Sequence, residues 1–390
     1  MLAPSRDHLQ WPFFGAEHRA LANDLDVFVR AGGLGAIDHG DADAACKALV
    51  RRLGDAGFLS HCVPRAFGGA SEEIDSRALC VLRETLAYHD GLADFAFAMQ
   101  GLGTGAISLS GSEQMKHRVL PKIAQGALIS AFALTEPEAG SDVAAMSASA
   151  VKDGNEYVLN GEKTFISNGG IADVYTVFAR TGEAPGTRGI SAFVVFADTS
   201  GFEIVERIQT IAPHPLARIR FNDCRVPATD LLGTPGEGFK IAMRTLDIFR
   251  PSVAAAANGF ARRALDEAVV HARGRKMFDA TLADLPTTQS RLGEMATAID
   301  AAALLTLRTA WQRDVQKRPT TREAAMAKMT ATENSQWVID QALQLFGGRG
   351  VRSGEITETL YREIRALRIY EGATEVQKLI IGRELMKSSS

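Results

Sequence analysis

The chain has 390 residues, 46% of them apolar and 23% charged, with a formal net charge of −3. That balance suits a globular enzyme and supplies neither a basic footprint for nucleic acid nor a polybasic membrane anchor. No apolar stretch approaches the roughly 20 residues that span a bilayer, and Met1 to Phe14 carries Asp7, His8 and Gln10 where a signal peptide needs an apolar run, so the expected location is cytoplasmic. From Glu17 to about Leu128 the pattern is helical, with apolar residues at three-to-four spacing in Asp41 to Gly54 and Ile74 to Tyr88. From about Ile129 to Leu232 short alternating runs take over. They are punctuated by Asp153-Gly154 and Asn160-Gly161, both read as hairpin turns, and continue through Val174 to Ala179, Ile190 to Phe196 and Ala217 to Phe221. These strands predict an antiparallel sheet folded into a barrel or sandwich. From Gly238 onward helix returns, with breaks near Arg273 to Pro286, Lys317 to Thr320 and Gly347 to Glu355 that predict four long antiparallel helices. The final Ser388-Ser389-Ser390 is expected to fray.

Cys46, Cys62, Cys80 and Cys224 are too scattered for a disulfide framework, and no histidine or cysteine spacing supports a metal site. The most informative stretch is Ile369-Tyr370-Glu371-Gly372-Ala373-Thr374-Glu375-Val376-Gln377. It places one carboxylate beside a glycine ahead of a helix, and Thr374 with Gln377 fits a capping box. Two further segments are Thr135-Glu136-Pro137-Glu138-Ala139-Gly140-Ser141-Asp142 and Gln344-Leu345-Phe346-Gly347-Gly348. In this order the three resemble the acyl-CoA dehydrogenase family, and the resemblance extends over nearly the whole chain.

The resemblance implies an α+β fold: an N-terminal α-helical domain (1–128), a middle antiparallel β-barrel domain (129–235) and a C-terminal four-helix bundle (236–390). It implies FAD-dependent α,β-dehydrogenation of an acyl-CoA thioester, with electrons passed to an electron-transfer flavoprotein. Glu371 matches the family's base, which takes the α-proton while the β-hydrogen leaves as hydride to flavin N5. Some relatives carry the base where this chain has Phe249, which leaves Glu371. Gly372 would leave space for substrate, and Asp247 and Arg250 match positions near the CoA portion or neighbouring site groups. Phe132, Leu134, Thr135, Gly140 and Ser141 match the segment along the isoalloxazine ring, with Ser141 shared between cofactor and substrate. Phe165 and Ser167 match residues at the ring's edge, where many relatives have tryptophan and threonine. Arg275, Phe278, Gln289, Gln344, Gly347 and Gly348 match cofactor contacts that cross a subunit boundary, and Ala373, Thr374 and Glu375 are counted with the cofactor. The implied assembly is a homo-oligomer, a dimer or dimer of dimers.

Rivals keep the fold and change the chemistry: an acyl-CoA oxidase, a flavin monooxygenase, or a decarboxylating glutaryl-CoA-type enzyme using Arg244 as its far-end cation. Glu371 argues against the monooxygenase and the chain's length against the oxidase. A non-catalytic helical scaffold is the rival from another class. Gly101-Leu102-Gly103-Thr104-Gly105 looks like a phosphate loop, but no strand precedes it, and it is expected to line the acyl-tail pocket. His214, between Pro213 and Pro215, could touch substrate, but its setting reads rather as a surface residue.

Overall fold

The computed structural model describes residues 6–387, so the expected fraying at Ser388-Ser389-Ser390 lies outside the described residues. The helices in chain order are α1 (Ala16–Arg30), α2 (Ala42–Asp55), α3 (Ser76–His89), α4 (Gly91–Ser110), α5 (Glu113–Ala124), α6 (Gly238–Gly274), α7 (Pro286–Asp314), α8 (Thr321–Phe346), α9 (Ile356–Leu367) and α10 (Thr374–Lys387). The strands are β1 (Ser130–Ala133), β2 (Ser149–Asp153), β3 (Glu156–Ser167), β4 (Val174–Arg180), β5 (Ile190–Phe196), β6 (Phe202–Arg207), β7 (Leu216–Pro227), β8 (Leu231–Leu232), β9 (Lys276–Met277) and β10 (Ala280–Thr281). The chain divides into two compact units. One comprises Met1–Gly33, Ser76–Asp94 and Arg250–Ser390, and the other Leu34–Asp75 and Phe95–Phe249.

The second unit holds an eight-stranded sheet in the order β6-β7-β3-β2-β4-β5-β8, with β1 pairing β4. The expected barrel is corrected: β6 and β8 end the sheet, which does not close, and β1 lies parallel to β4. Alternation sets which faces are buried, as in β7, where Ala217, Ile219 and Phe221 are buried between half-exposed arginines. Gly154 does turn the β2–β3 hairpin, with φ 61°. Asn160-Gly161 does not turn the chain. It lies inside β3, where the pairing with β7 shifts between Leu159 and Gly161. Gly161 has φ 133°, and a Cβ there would sit 2.7 Å from Ala148 Cα, so the glycine serves a bulge. Helices of this unit start on side-chain caps: Asp41 accepts from Ala44 N at 3.0 Å and Ser112 from Met115 N at 3.2 Å.

The first unit is built around α6, α7, α8 and α9. Their apolar stripes, including Val253, Phe260, Met295, Ile299, Val338, Ile339 and Ile364, form one buried cluster in which alanines let the helices approach closely. The expected fourth long helix is interrupted. It is two helices, α9 and α10, and between them Glu371 and Gly372 both take positive φ. Among the described residues no helix is long and apolar enough to cross a membrane, and no group of side chains could hold a metal ion.

Candidate active site

In the first unit the turn between α9 and α10 carries Glu371 at φ 52° and Gly372 at φ 88°. A left-handed glutamate is held only by its surroundings, at a cost of about 1–3 kcal/mol. The surroundings here are donors aimed at the turn's carbonyls. Gln377 Nε2 donates to Glu371 O at 3.1 Å and to Gly372 O at 2.9 Å, Lys328 Nζ donates to Gly372 O at 2.8 Å, and Arg250 Nε donates to Glu371 O at 3.4 Å. The carboxylate itself is differently treated: Glu371 Oε2 is buried with no hydrogen-bond partner among the described residues. Burial pushes the Glu371 carboxyl above the usual carboxylate range, while Arg83, then Arg250 and Lys328, pull it back and Asp94 adds to the rise. Arg83 is itself committed, bidentate to Asp94 at 2.8 Å through Nε and Nη2 and donating to Ser252 Oγ at 3.1 Å.

The capping box expected at Thr374 is a correction. Gln377 N donates to Ala373 O, so the helix begins one residue earlier, and the Gln377 side chain turns back to the Glu371 and Gly372 carbonyls instead of to Thr374. Thr374 is buried and its hydroxyl donates to Glu333 Oε1 at 2.6 Å. Glu375 is exposed and Ala373 half-buried. Arg250, readable as a surface ion-pair partner, is buried; Asp247 is half-buried.

In the second unit, β1 runs into a loop pinned by an interior ion pair. Lys163 Nζ, fully buried, donates to Glu136 Oε1 at 2.7 Å and to Leu134 O at 3.1 Å. Glu136 also accepts from Ser147 N at 2.6 Å and Ala148 N at 3.0 Å. Burial alone would raise the Glu136 carboxyl, but Lys163 and these amides hold it below its ordinary value; burial pushes Lys163 down to about 8. Thr164 N donates to Thr135 O at 2.9 Å, which brings Thr135 beside Phe165. Phe165 has φ 52° at the second irregularity of β3 and is 59% exposed, while Ser167 is half-buried and Gly140 and Ser141 are exposed. Leu134 is buried, and the half-buried Phe132 packs its ring against Phe178 at 4.9 Å. An isoalloxazine ring needs a flat apolar face with polar groups at its rim. A rigidly held, solvent-facing Phe165 beside Thr135 fits that requirement.

Back in the first unit, Phe278 and Asp279 form the turn of the β9–β10 hairpin, both with positive φ, and Phe278 is 82% exposed. Asp279 takes the left-handed conformation, which short polar side chains tolerate. Arg275, Gln344, Gly347 and Gly348 are exposed nearby, joined through His271, whose ring stacks on Phe346 at 4.1 Å and whose carbonyl accepts from Arg275 N. Gln289 is exposed and donates to Ala283 O at 2.9 Å. Of seven non-glycine residues with positive φ among the described residues, Phe165, Phe278 and Glu371 were singled out from sequence alone. Three of the seven are aspartate or asparagine, and the remaining one is Lys317.

Two readings fail. Gly101, Gly103 and Gly105 lie within α4 and leave no room for an acyl tail. A Cβ at Gly101 would sit 2.5 Å from the Phe249 ring, one at Gly105 2.9 Å from the same ring, and one at Gly103 2.5 Å from Ser130 Oγ. His214 is half-buried, and its ring packs on Phe95 at 4.5 Å. Sequence reasoning also missed Lys328, Arg83 and Lys163. Lys328 had a legible signal, since it shares a helical stripe with Ala324 and Ala331.

Family models named acyl-CoA dehydrogenase, N-terminal, middle and C-terminal domain match residues 15–127, 131–224 and 236–386. The mitochondrial short-chain specific acyl-CoA dehydrogenase of Rattus norvegicus is 39% identical over 344 residues, covering 87% of this chain and 82% of that protein. The structure of butyryl-CoA dehydrogenase from Megasphaera elsdenii is similar with a TM-score of 0.85 at 31% identity, covering 99% of this chain and 100% of that one. The structure of PigA with FAD and proline has a TM-score of 0.88 at 26% identity, covering 96% and 98%.

Proposed function

The chain belongs to the acyl-CoA dehydrogenase family, flavoprotein oxidoreductases with FAD as cofactor, and on that premise we propose that it desaturates a short-chain acyl-CoA thioester between Cα and Cβ. The observation that carries this reading is Glu371, whose buried oxygen has no partner while the carbonyls around it are held by three side chains. A carboxylate left unpaired in a rigid turn is available to take a proton. Its desolvation strengthens it as a base, and Arg83, Arg250 and Lys328 favour the ionised form it needs. Glu371 removes the α-proton, and its backbone N–H polarises the thioester carbonyl so that charge developing on oxygen is stabilised. A Cβ at Gly372 would run into the Gln377 amide, and its φ of 88° suits glycine, so Gly372 lets the turn beside the base close. When bound, FAD supplies the acceptor for the β-hydrogen, which leaves as hydride. Phe165, Thr135, Ser167 and Ser141 hold the flavin's ring and rim, with Gly140 permitting close approach. Arg275, Phe278, Gln289, Gln344, Gly347 and Gly348 serve the cofactor of a second copy. The electrons then pass to an electron-transfer flavoprotein.

The short chain length rests on two supports. Two of the relatives carry short-chain and butyryl-CoA names, and the Phe249 ring fills the groove that Gly101 and Gly105 open on α4. A far-end carboxylate, as in a glutaryl thioester, finds little support: Arg244 is exposed and Arg83 is already bidentate to Asp94. The test is an anaerobic visible spectrum of the FAD-loaded protein titrated with butyryl-, hexanoyl-, octanoyl- and glutaryl-CoA. Bleaching of the flavin band by the shorter straight chains is the expected result. A protein that stays yellow with every thioester overturns the reading.

A further inference from the structure

Lys328 is fully buried on α8, flanked on its stripe by Ala324 and Ala331. An ammonium there is costly unless it is hydrogen-bonded, and its Nζ donates to Gly372 O at 2.8 Å. Arg250 from α6 and Gln377 from α10 converge on the same two consecutive carbonyls. None of these bonds reaches the Glu371 carboxylate, and the turn they fix has left-handed backbone at both residues. Such a conformation persists only where the surroundings over-determine it. Gln377 is adjacent in sequence, whereas Lys328 reaches the turn from a different long helix.

We propose that Lys328 is a positioning residue for the base: it clamps the Gly372 carbonyl to α8 and so keeps Glu371 in the left-handed turn with its carboxylate unpaired. This rests on the reading of Glu371 as the base. Arg83, Arg250 and Asp94 also bear on Glu371, and Glu333, Glu375 and Arg250 on Lys328, so the lysine supplies one positive charge among several. Losing it removes both a tie and a charge. The acid limb of the pH–rate profile then moves to higher pH.

The experiment compares FAD-loaded wild type with Lys328→Met, which keeps the length and apolar stem, and reads amide hydrogen exchange by mass spectrometry beside steady-state kinetics. Expected are unchanged FAD content, exchange across residues 369–374 faster by about tenfold or more with α8 and α9 unchanged, and kcat lower by roughly 100-fold with KM for butyryl-CoA nearly unchanged. In Lys328→Ala, propylamine should restore loop protection, and activity with it. Wild-type exchange at 369–374 in Lys328→Met overturns the proposal. So does faster exchange spread along all of α8, which marks a lysine that only fills the core. The exchange result stands without turnover; a wild type that no thioester bleaches sinks the functional reading and leaves the clamp decided by exchange alone.

Discussion

Glu371 joins a raised carboxyl, a strained backbone and an unsatisfied oxygen in one residue, and each has a measurable consequence. A base must be ionised, so turnover should fall as pH drops through the raised pKa, above the ordinary 4.5 of a glutamate. Glu371→Gln should keep FAD and lose about 10²–10⁴-fold in kcat, the span of a general base; normal turnover in that variant would show the base to be elsewhere. Stability should move the other way. Because the folded pKa is raised, the native chain holds this proton where the unfolded chain has released it, so stability falls as pH rises from 4.5 through the folded value. Glu371→Gln should therefore melt higher than wild type at neutral pH, with the gap closing near pH 4.5. A melting difference that ignores pH would rule out this linkage. The glutamate was legible because its neighbours spell a family pattern. Lys328 was passed over although its signal was there, since a lysine in an alanine-rich helix reads as solvated until its stripe is counted.

At the scale of elements, the sequence located the helices and strands but misjudged what several glycines do. Asn160-Gly161 has the composition of a hairpin turn, yet β3 runs straight through it because the glycine lets Ala148 approach. Gly101 and Gly105 looked like room for a ligand and are room for Phe249, a partner 148 and 144 residues away that no local pattern reveals. Gly101→Ala should accordingly destabilise by about 1–3 kcal/mol from overpacking, with Phe249→Leu in the same chain relieving most of that loss in chemical denaturation. Equal destabilisation with and without Phe249→Leu would contradict the packing argument. Lys163 belongs to the same scale, because it ties β3 to the loop after β1 through Glu136. Lys163→Met strands a buried carboxylate and should cost about 3–5 kcal/mol and weaken FAD retention. Adding Glu136→Gln should return part of that stability, since the uncompensated charge is gone. If the double variant is no better than the single, the loss comes from packing alone.

At the scale of the whole molecule, the first unit exposes an apolar ring and several polar or glycine positions. Phe278 stands 82% exposed at a hairpin tip, with Arg275, Gln344, Gly347 and Gly348 exposed beside it. An apolar ring in water next to an arginine and two glycines suits a polyanionic, partly aromatic ligand better than it suits solvent. If that ligand is the FAD of a second copy, cofactor and assembly are thermodynamically linked: each FAD stabilises the oligomer, and dilution releases FAD as subunits part. Ultracentrifugation with absorbance detection should then show flavin leaving in step with dissociation. Arg275→Ala should raise the protein concentration at which both occur by roughly tenfold or more, the scale expected for a lost charge-assisted hydrogen bond. Phe278→Ala should act in the same direction, because the ring loses the surface that covers it. Flavin that stays bound to dissociated subunits would break the linkage and assign the exposed hairpin to some other partner.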